Sequence, residues 1–262
     1  PLLILYFELG ITGAAIATLI SQCFGCTILF WMTHKGQNIR IHLRYFTPSK
    51  AYAKEIIFGG TPSLSRQGLG SIATLVLNVA AGAYGDAAIA GMSIVTRISF
   101  FTYAVVIGLG QGFQPLCGFC YGARLYARVK EAFYYCIKCG TIFLAICAVI
   151  GFIFSEPIIE LFRDDAKVIE VGSMALKWQV ISFPLVATIV LTNMLMQTIR
   201  KPIRANIVAG ARSGLFFIPL IFILPHFFGL LGVEMCQAWA DFCSFAVAIP
   251  IAWSAFRDMR KV

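Results

Sequence analysis

Residues 108–131 read GLGQGFQPLCGFCYGARLYARVKE, and their order decides the fold. An apolar helix enters from the left and is expected to break at Gln114-Pro115, because proline removes a helical hydrogen bond. A turn rich in glycine and aromatic residues follows, ending in Arg124, Arg128 and Lys130. A soluble core has no use for an apolar helix that runs straight into a cluster of cations. A membrane span leaving the bilayer into a basic cytoplasmic loop has this order. Gln111, Gln114, Pro115 and Gly118 read as the structural elbow of that exit.

The rest of the chain agrees with a membrane environment. It is 59% hydrophobic and 13% charged over 262 residues, whereas a soluble domain carries about 25% charged residues. The apolar residues fall in runs near or above the ~20 that cross a bilayer as a helix. The runs are 10–32, 56–84, 87–114, 131–154, 170–198, 204–225 and 230–255. They are too long and too rich in glycine for barrel strands, which alternate over about 10 residues. Helices satisfy their own backbone groups in lipid. The expected fold is an all-α polytopic membrane protein with about seven transmembrane helices. Pro62, Pro184 and Pro219 are candidate kinks.

A net charge of +9 invites a nucleic-acid reading, but the distribution opposes it. Lys35, Arg40, Arg44, Lys50 and Lys54 share one loop; Arg124, Arg128 and Lys130 a second; Arg200, Lys201 and Arg204 a third. Arg257, Arg260 and Lys261 form the tail. The alternate loops hold Arg163 and Lys167 beside Asp164 and Asp165. The positive-inside rule places the first group, and the C-terminus, in the cytoplasm. Trp31 and Trp253 then sit in the inner aromatic belt. The expected partner is the lipid bilayer, with no nucleic acid.

Two segments echo each other. PLLILYFELGITG (1–13) and PLIFILPHFFGLLG (219–232) both run from Pro-Leu through apolar residues to Gly-x-x-Gly, pairing Gly10 with Gly229 and Gly13 with Gly232. Such glycines let helices approach closely. The echo predicts a two-lobe plan of like-oriented repeats, as in many transporters. Residues 1–33 then end an N-terminal lobe, 34–55 form a cytoplasmic inter-lobe linker, 56–256 form a six-helix C-terminal lobe and 257–262 a tail. The part of the linker after Pro48 is a candidate interfacial helix. A start at Pro1, outside the membrane and without a signal peptide, implies an N-terminal lobe lying before it.

Ionisable groups inside a bilayer are costly and mark function or pairing. Arg66, Arg97 and Asp241 each lie roughly 15 Å deep, the middle of a ~30 Å core. An arginine beside a carboxylate stabilises its charged form. That suits a structural ion pair, Asp241 with Arg97 or Arg66, better than a proton carrier. Lys138, Lys177 and Arg212 lie shallower and are expected to snorkel. Gln67, Asn78, Gln111, Gln179, Asn193 and Gln197 also fall within spans, where interhelical hydrogen bonding is the common role. The candidate substrate or ion pathway is Arg66, Gln67, Asn78, Arg97, Gln197 and Asp241. Cys23/Cys26, Cys117/Cys120 and Cys136/Cys139 have metal-like spacing but lie mostly in apolar helix, where cysteine is a small hydrophobe. The scattered His34, His42 and His226 give no hydrolase or metal cluster. No metal and no enzymatic activity are expected.

GQGFQPLCGFCYGA (110–123) resembles the GxxQGxQPxxGFNYGA wording of the multidrug and toxic compound extrusion (MATE) family, with Cys120 where asparagine is usual. GGTPSLSRQGLGSIATLVLN (59–78) resembles the seventh helix of a bacterial branch, through Pro62, Ser63, Arg66 and Gln67. IPLIFILPHFFGLLGV and ADFCSF, within 218–245, are similar to its last two helices. The resemblance spans the chain as helices six to twelve. It implies a secondary antiporter of a bacterial plasma membrane, working by rocking of two lobes. Such a protein expels organic, often cationic, compounds in exchange for protons or sodium, with no other cofactor. Gly70 stands near the position where some members carry a sodium-linked acid. The basic interior raises one alternative within the superfamily, a lipid-linked oligosaccharide flippase.

Overall fold

The computed structural model describes residues 10–35 and 49–259. The chain divides into two units, Pro1–Ala53 and Lys54–Val262. The expected linker core, the tail beyond Met259 and most of the first echo segment lie outside the described residues.

In the first unit, α1 (Gly10–Lys35) is apolar all round. Leu19, Phe24, Leu29 and Trp31 all face outward. The Thr27 and Thr33 hydroxyls donate to the carbonyls one turn back, so neither needs water. A helix of this kind suits lipid on every side.

The second unit is a bundle of α2 (Lys50–Gly82), α3 (Asp86–Gly122), α4 (Tyr126–Ile153), the short α5 (Ser155–Glu160), α6 (Ala166–Thr198), α7 (Pro202–Gly210), α8 (Phe217–Phe228) and α9 (Leu230–Met259). A π-turn, Ala211–Leu215, joins α7 to α8, so the two cross as one segment. Among the described residues six segments are long and apolar enough to span a membrane by length and composition alone. The exception is α2, which has the length, but Thr61, Ser63, Ser65, Arg66 and Gln67 dilute its apolar content. It also begins at Lys50 and runs unbroken, so the stretch after Pro48 is the first part of this helix rather than a separate interfacial one.

The hub is α6, which packs against α3, α4, α5, α7 and α9. Its start is capped by the Asp165 carboxylate, which accepts from the Lys167 N–H at 3.0 Å. Small residues let the helices close in. An added Cβ on Gly91 would lie 3.1 Å from the Gly172 backbone nitrogen, so α3 and α6 meet backbone to backbone there. At the α8–α9 corner Gly229 adopts φ 59°, and a Cβ on Gly232 would collide with the Leu224 carbonyl. The close approach expected of these glycines is present at Gly232, whereas Gly229 serves the corner through its positive φ and has no close neighbour. Many large apolar side chains face outward as well: Phe101, Phe119, Ile153, Phe222 and Phe227 are all exposed. That inversion of the soluble pattern is what a lipid solvent permits.

The break expected at Gln114-Pro115 does not occur. The helix α3 continues through Pro115 to Gly122. Proline forfeits one backbone bond, but Phe113, Cys117 and Cys120 are buried on either side and anchor the helix in the core. Gln111, Gln114, Pro115 and Gly118 are therefore helical residues, not an elbow. The turn lies further on, where Arg124 adopts φ 60° and the Leu125 N–H reaches back to the Cys120 carbonyl at 2.8 Å. The same left-handed cap recurs after α6: Arg200 has φ 57° and the Lys201 N–H donates to the Met196 carbonyl at 2.9 Å.

The turns sort the charges. Arg124, Arg128, Lys130, Arg200, Lys201, Arg204 and Arg257 gather where α3, α6 and α9 end. At that end Asp258 binds Lys201 and, at 3.0 Å, Arg204, and Arg204 also donates to Ser254. The opposite end carries Asp86, Glu156, Glu160, Asp164 and Asp165.

Candidate functional site: a buried ion pair beside a cavity

Asp241 on α9 has no exposed surface. Its partner is Arg212, whose Nε donates to Oδ1 at 2.7 Å. The pairing expected with Arg97 or Arg66 is thus replaced, and Arg212 does not snorkel to an interface. The reason lies in the segment's true start. The helix begins at Pro202, which puts Arg212 ten residues in, about 15 Å deep and level with Asp241. Local sequence keeps it there. Pro219 has no N–H for the Leu215 carbonyl, so the ladder loosens into the π-turn that carries Arg212.

Three more groups complete the carboxylate's shell. The Ser182 hydroxyl donates to Oδ2 at 2.9 Å, Gln179 Nε2 to Oδ2 at 3.4 Å, and Gln237 Nε2 to Oδ1 at 3.1 Å. Gln179 also donates to the Tyr103 hydroxyl at 2.9 Å, and the Arg212 guanidinium lies 4.5 Å from the Tyr103 ring centroid. The network ties α3, α6, the π-turn and α9. A buried charge surrounded in this way is neutralised and satisfied.

Arg212 of the pair borders a cavity of about 190 Å³. Apolar walls come from Leu77, Met92, Phe100 and Phe217, and polar ones from Ser99, Gln237 and Arg212. The Ser99 hydroxyl is buried and has no hydrogen-bond partner among the described residues. Such a space accepts a small organic group that offers an acceptor to Ser99 or Arg212.

The remaining sequence candidates do not join this site. Arg97 is exposed, Arg66 is half-buried, and neither forms an ion pair among the described residues. Gln67 and Asn78 are exposed on α2, whose cavity-facing residues are Gly70, Ala73, Thr74 and Leu77. Gln197 donates to the Asn193 side chain at 2.7 Å and lines a separate space of about 540 Å³ with Glu55, Phe58, Pro62 and Arg200. Asn193 in turn donates to the Ala205 carbonyl at 2.7 Å, so the interhelical bonding expected of Gln179 and Asn193 is present. Tyr103, Ser182 and Gln237 were missed. Their signal was spacing: Gln179/Ser182 and Gln237/Asp241 are one helical turn apart, on one face.

The MatE family model matches residues 62–223, which contain α3, α6 and the π-turn with Arg212. The chain belongs to the MATE family. The multidrug export protein MepA of Staphylococcus haemolyticus is 28% identical over 255 residues, covering 97% of this chain and 56% of that protein. MepA of Staphylococcus aureus is 28% identical over 236 residues, 89% of this chain and 51% of that one. The MATE fold is shared with an outward-facing multidrug resistance transporter of the MOP superfamily, at TM-score 0.89, 23% identity and coverage of 100% of this chain and 60% of that chain. The MATE transporter VcmN of Vibrio cholerae superposes at TM-score 0.86 with 21% identity, covering 98% and 59%. The chain spans about half the length of the curated relatives it matches. It is a multi-pass membrane protein of a transporter family, not of an enzyme family.

Proposed function

We propose that this MATE chain forms one lobe of a secondary efflux antiporter of a bacterial plasma membrane. It exports organic compounds, cationic ones included, in exchange for protons or sodium. The observation that carries this reading is the family match across the lobe together with the multidrug export activity in the names of its relatives. Lys54–Val262 is the C-terminal lobe, the basic end faces the cytoplasm, and an N-terminal lobe completes the pathway. Arg66, Gln67, Asn78 and Arg97, polar and turned away from the Asp241 network, are the pathway groups that the other lobe would cover. The argument for a flippase was a basic interior. It weakens once Arg212 is neutralised by Asp241, and the names of the relatives speak of multidrug export.

The test is accumulation of a cationic fluorescent dye in cells making the full-length protein. Accumulation is expected to fall, and to recover when ionophores collapse the proton and sodium gradients. Efflux that persists without either gradient would rule out antiport.

A further inference from the structure

A groove at the basic end of the bundle lies on the outer surface between α4 and α9, away from the Asp241 cavity. It measures about 430 Å³ and is lined by Lys130, Tyr134, Trp253, Phe256 and Arg257. Each helix contributes a cation and an aromatic ring one turn apart, Lys130/Tyr134 on α4 and Trp253/Arg257 on α9. The helices run in opposite directions, so both put the cation nearer the end and the ring one turn deeper. Phe256 forms the floor, 5.2 Å from the Phe133 ring and stacked on Tyr134 at 6.1 Å. The Lys130 ammonium lies 5.9 Å from the Tyr134 ring centroid. Neither Lys130 nor Arg257 has an ion-pair partner among the described residues, although Asp258 next to Arg257 binds Lys201 and Arg204. Tyr134 and Trp253 are 54% and 68% exposed, which leaves the groove open at the bundle surface.

Two unpaired cations above two interfacial rings match the layers of one molecule, a phosphate above glycerol esters. We propose that this groove binds the headgroup of an anionic phospholipid, with Lys130 and Arg257 on the phosphate and Trp253 and Tyr134 at the ester level. Basic pockets between spans hold anionic headgroups, and tryptophan and tyrosine prefer the headgroup depth.

The experiment is native mass spectrometry of the full-length detergent-solubilised protein titrated with phosphatidylglycerol or phosphatidylcholine. Phosphatidylglycerol is expected to remain bound and phosphatidylcholine to be lost. Lys130→Gln with Arg257→Gln should weaken phosphatidylglycerol retention roughly 30-fold, from the ordinary contribution of two surface cations. Arg124→Gln with Arg128→Gln removes the same charge from the same end, outside the groove, and should leave retention within about two-fold. The charge-conserving pair Lys130→Arg and Arg257→Lys keeps the site testable should the glutamine pair fail to fold; it should retain the lipid. Equal loss in both glutamine pairs, equal retention of the two lipids, or displacement by millimolar inorganic phosphate would each overturn the proposal.

Discussion

Asp241 shows how much one buried carboxylate can demand of its surroundings. It is fully enclosed and takes donors from Arg212, Ser182, Gln179 and Gln237. Removing its charge strands the arginine, and breaking a buried pair on one side costs about 3–5 kcal/mol. Asp241→Asn should therefore lower the thermal midpoint of the solubilised protein sharply. Replacing both partners, Arg212→Met with Asp241→Leu, should recover most of that loss, because the desolvation penalty disappears with the charges. An Asp241→Asn protein that melts normally yet loses ion-dependent transport would show Asp241 to be a coupling group rather than a lock. Depth along the sequence found this residue but not its partner. Arg97 has the right depth and the wrong face. The buried positions of α3 run 88, 91, 92, 94, 95, 99, 103, 106, 110, 113, 117 and 120, and residue 97 falls off that stripe.

At the scale of the element, two corners set how the helices turn. Arg124 and Arg200 hold left-handed backbone, which costs a non-glycine residue about 1–2 kcal/mol. Arg124→Gly with Arg200→Gly should stabilise the protein by about 0.5–1 kcal/mol, after the greater chain entropy of glycine and the lost helix-end charges are counted. A raised denaturation midpoint checks it; a lowered one would mean that the arginines bind something at that end. Gly232→Ala should act the other way. The new methyl meets backbone that cannot rotate aside, so a loss of about 1–3 kcal/mol and poor expression are expected. Gly91→Ala has 3.1 Å of room and should be milder in the same assay. Proline was the misleading signal here. Pro115 looked like a stop, but the buried Phe113 and Cys117 anchor the helix on both sides of it.

The whole molecule is organised by its solvent. Many large apolar side chains face out, small residues let the helices close in, and most charges collect at the two ends. The asymmetry between ends predicts orientation. In a protein freed of native cysteines, Arg128→Cys should react with a membrane-impermeant maleimide only in opened cells, and Asp164→Cys in intact ones. The reverse pattern would invert the assignment of the cytoplasmic face.

The sequence by itself determined the class of fold, the approximate spans, the sorting of charge and the family. Each depends on composition, period or local wording, which need no knowledge of neighbours. Only the tertiary structure decided that Asp241 belongs to Arg212, that Ser99 lacks a partner among the described residues beside a cavity, and that Lys130 and Arg257 share a groove. Those facts depend on which face each helix presents and on a π-turn that shifts the register. In a span that is apolar nearly all round, the usual sequence signal for facing is too weak to read. Packing of small residues around α6 then fixes what the hydrophobic pattern leaves open.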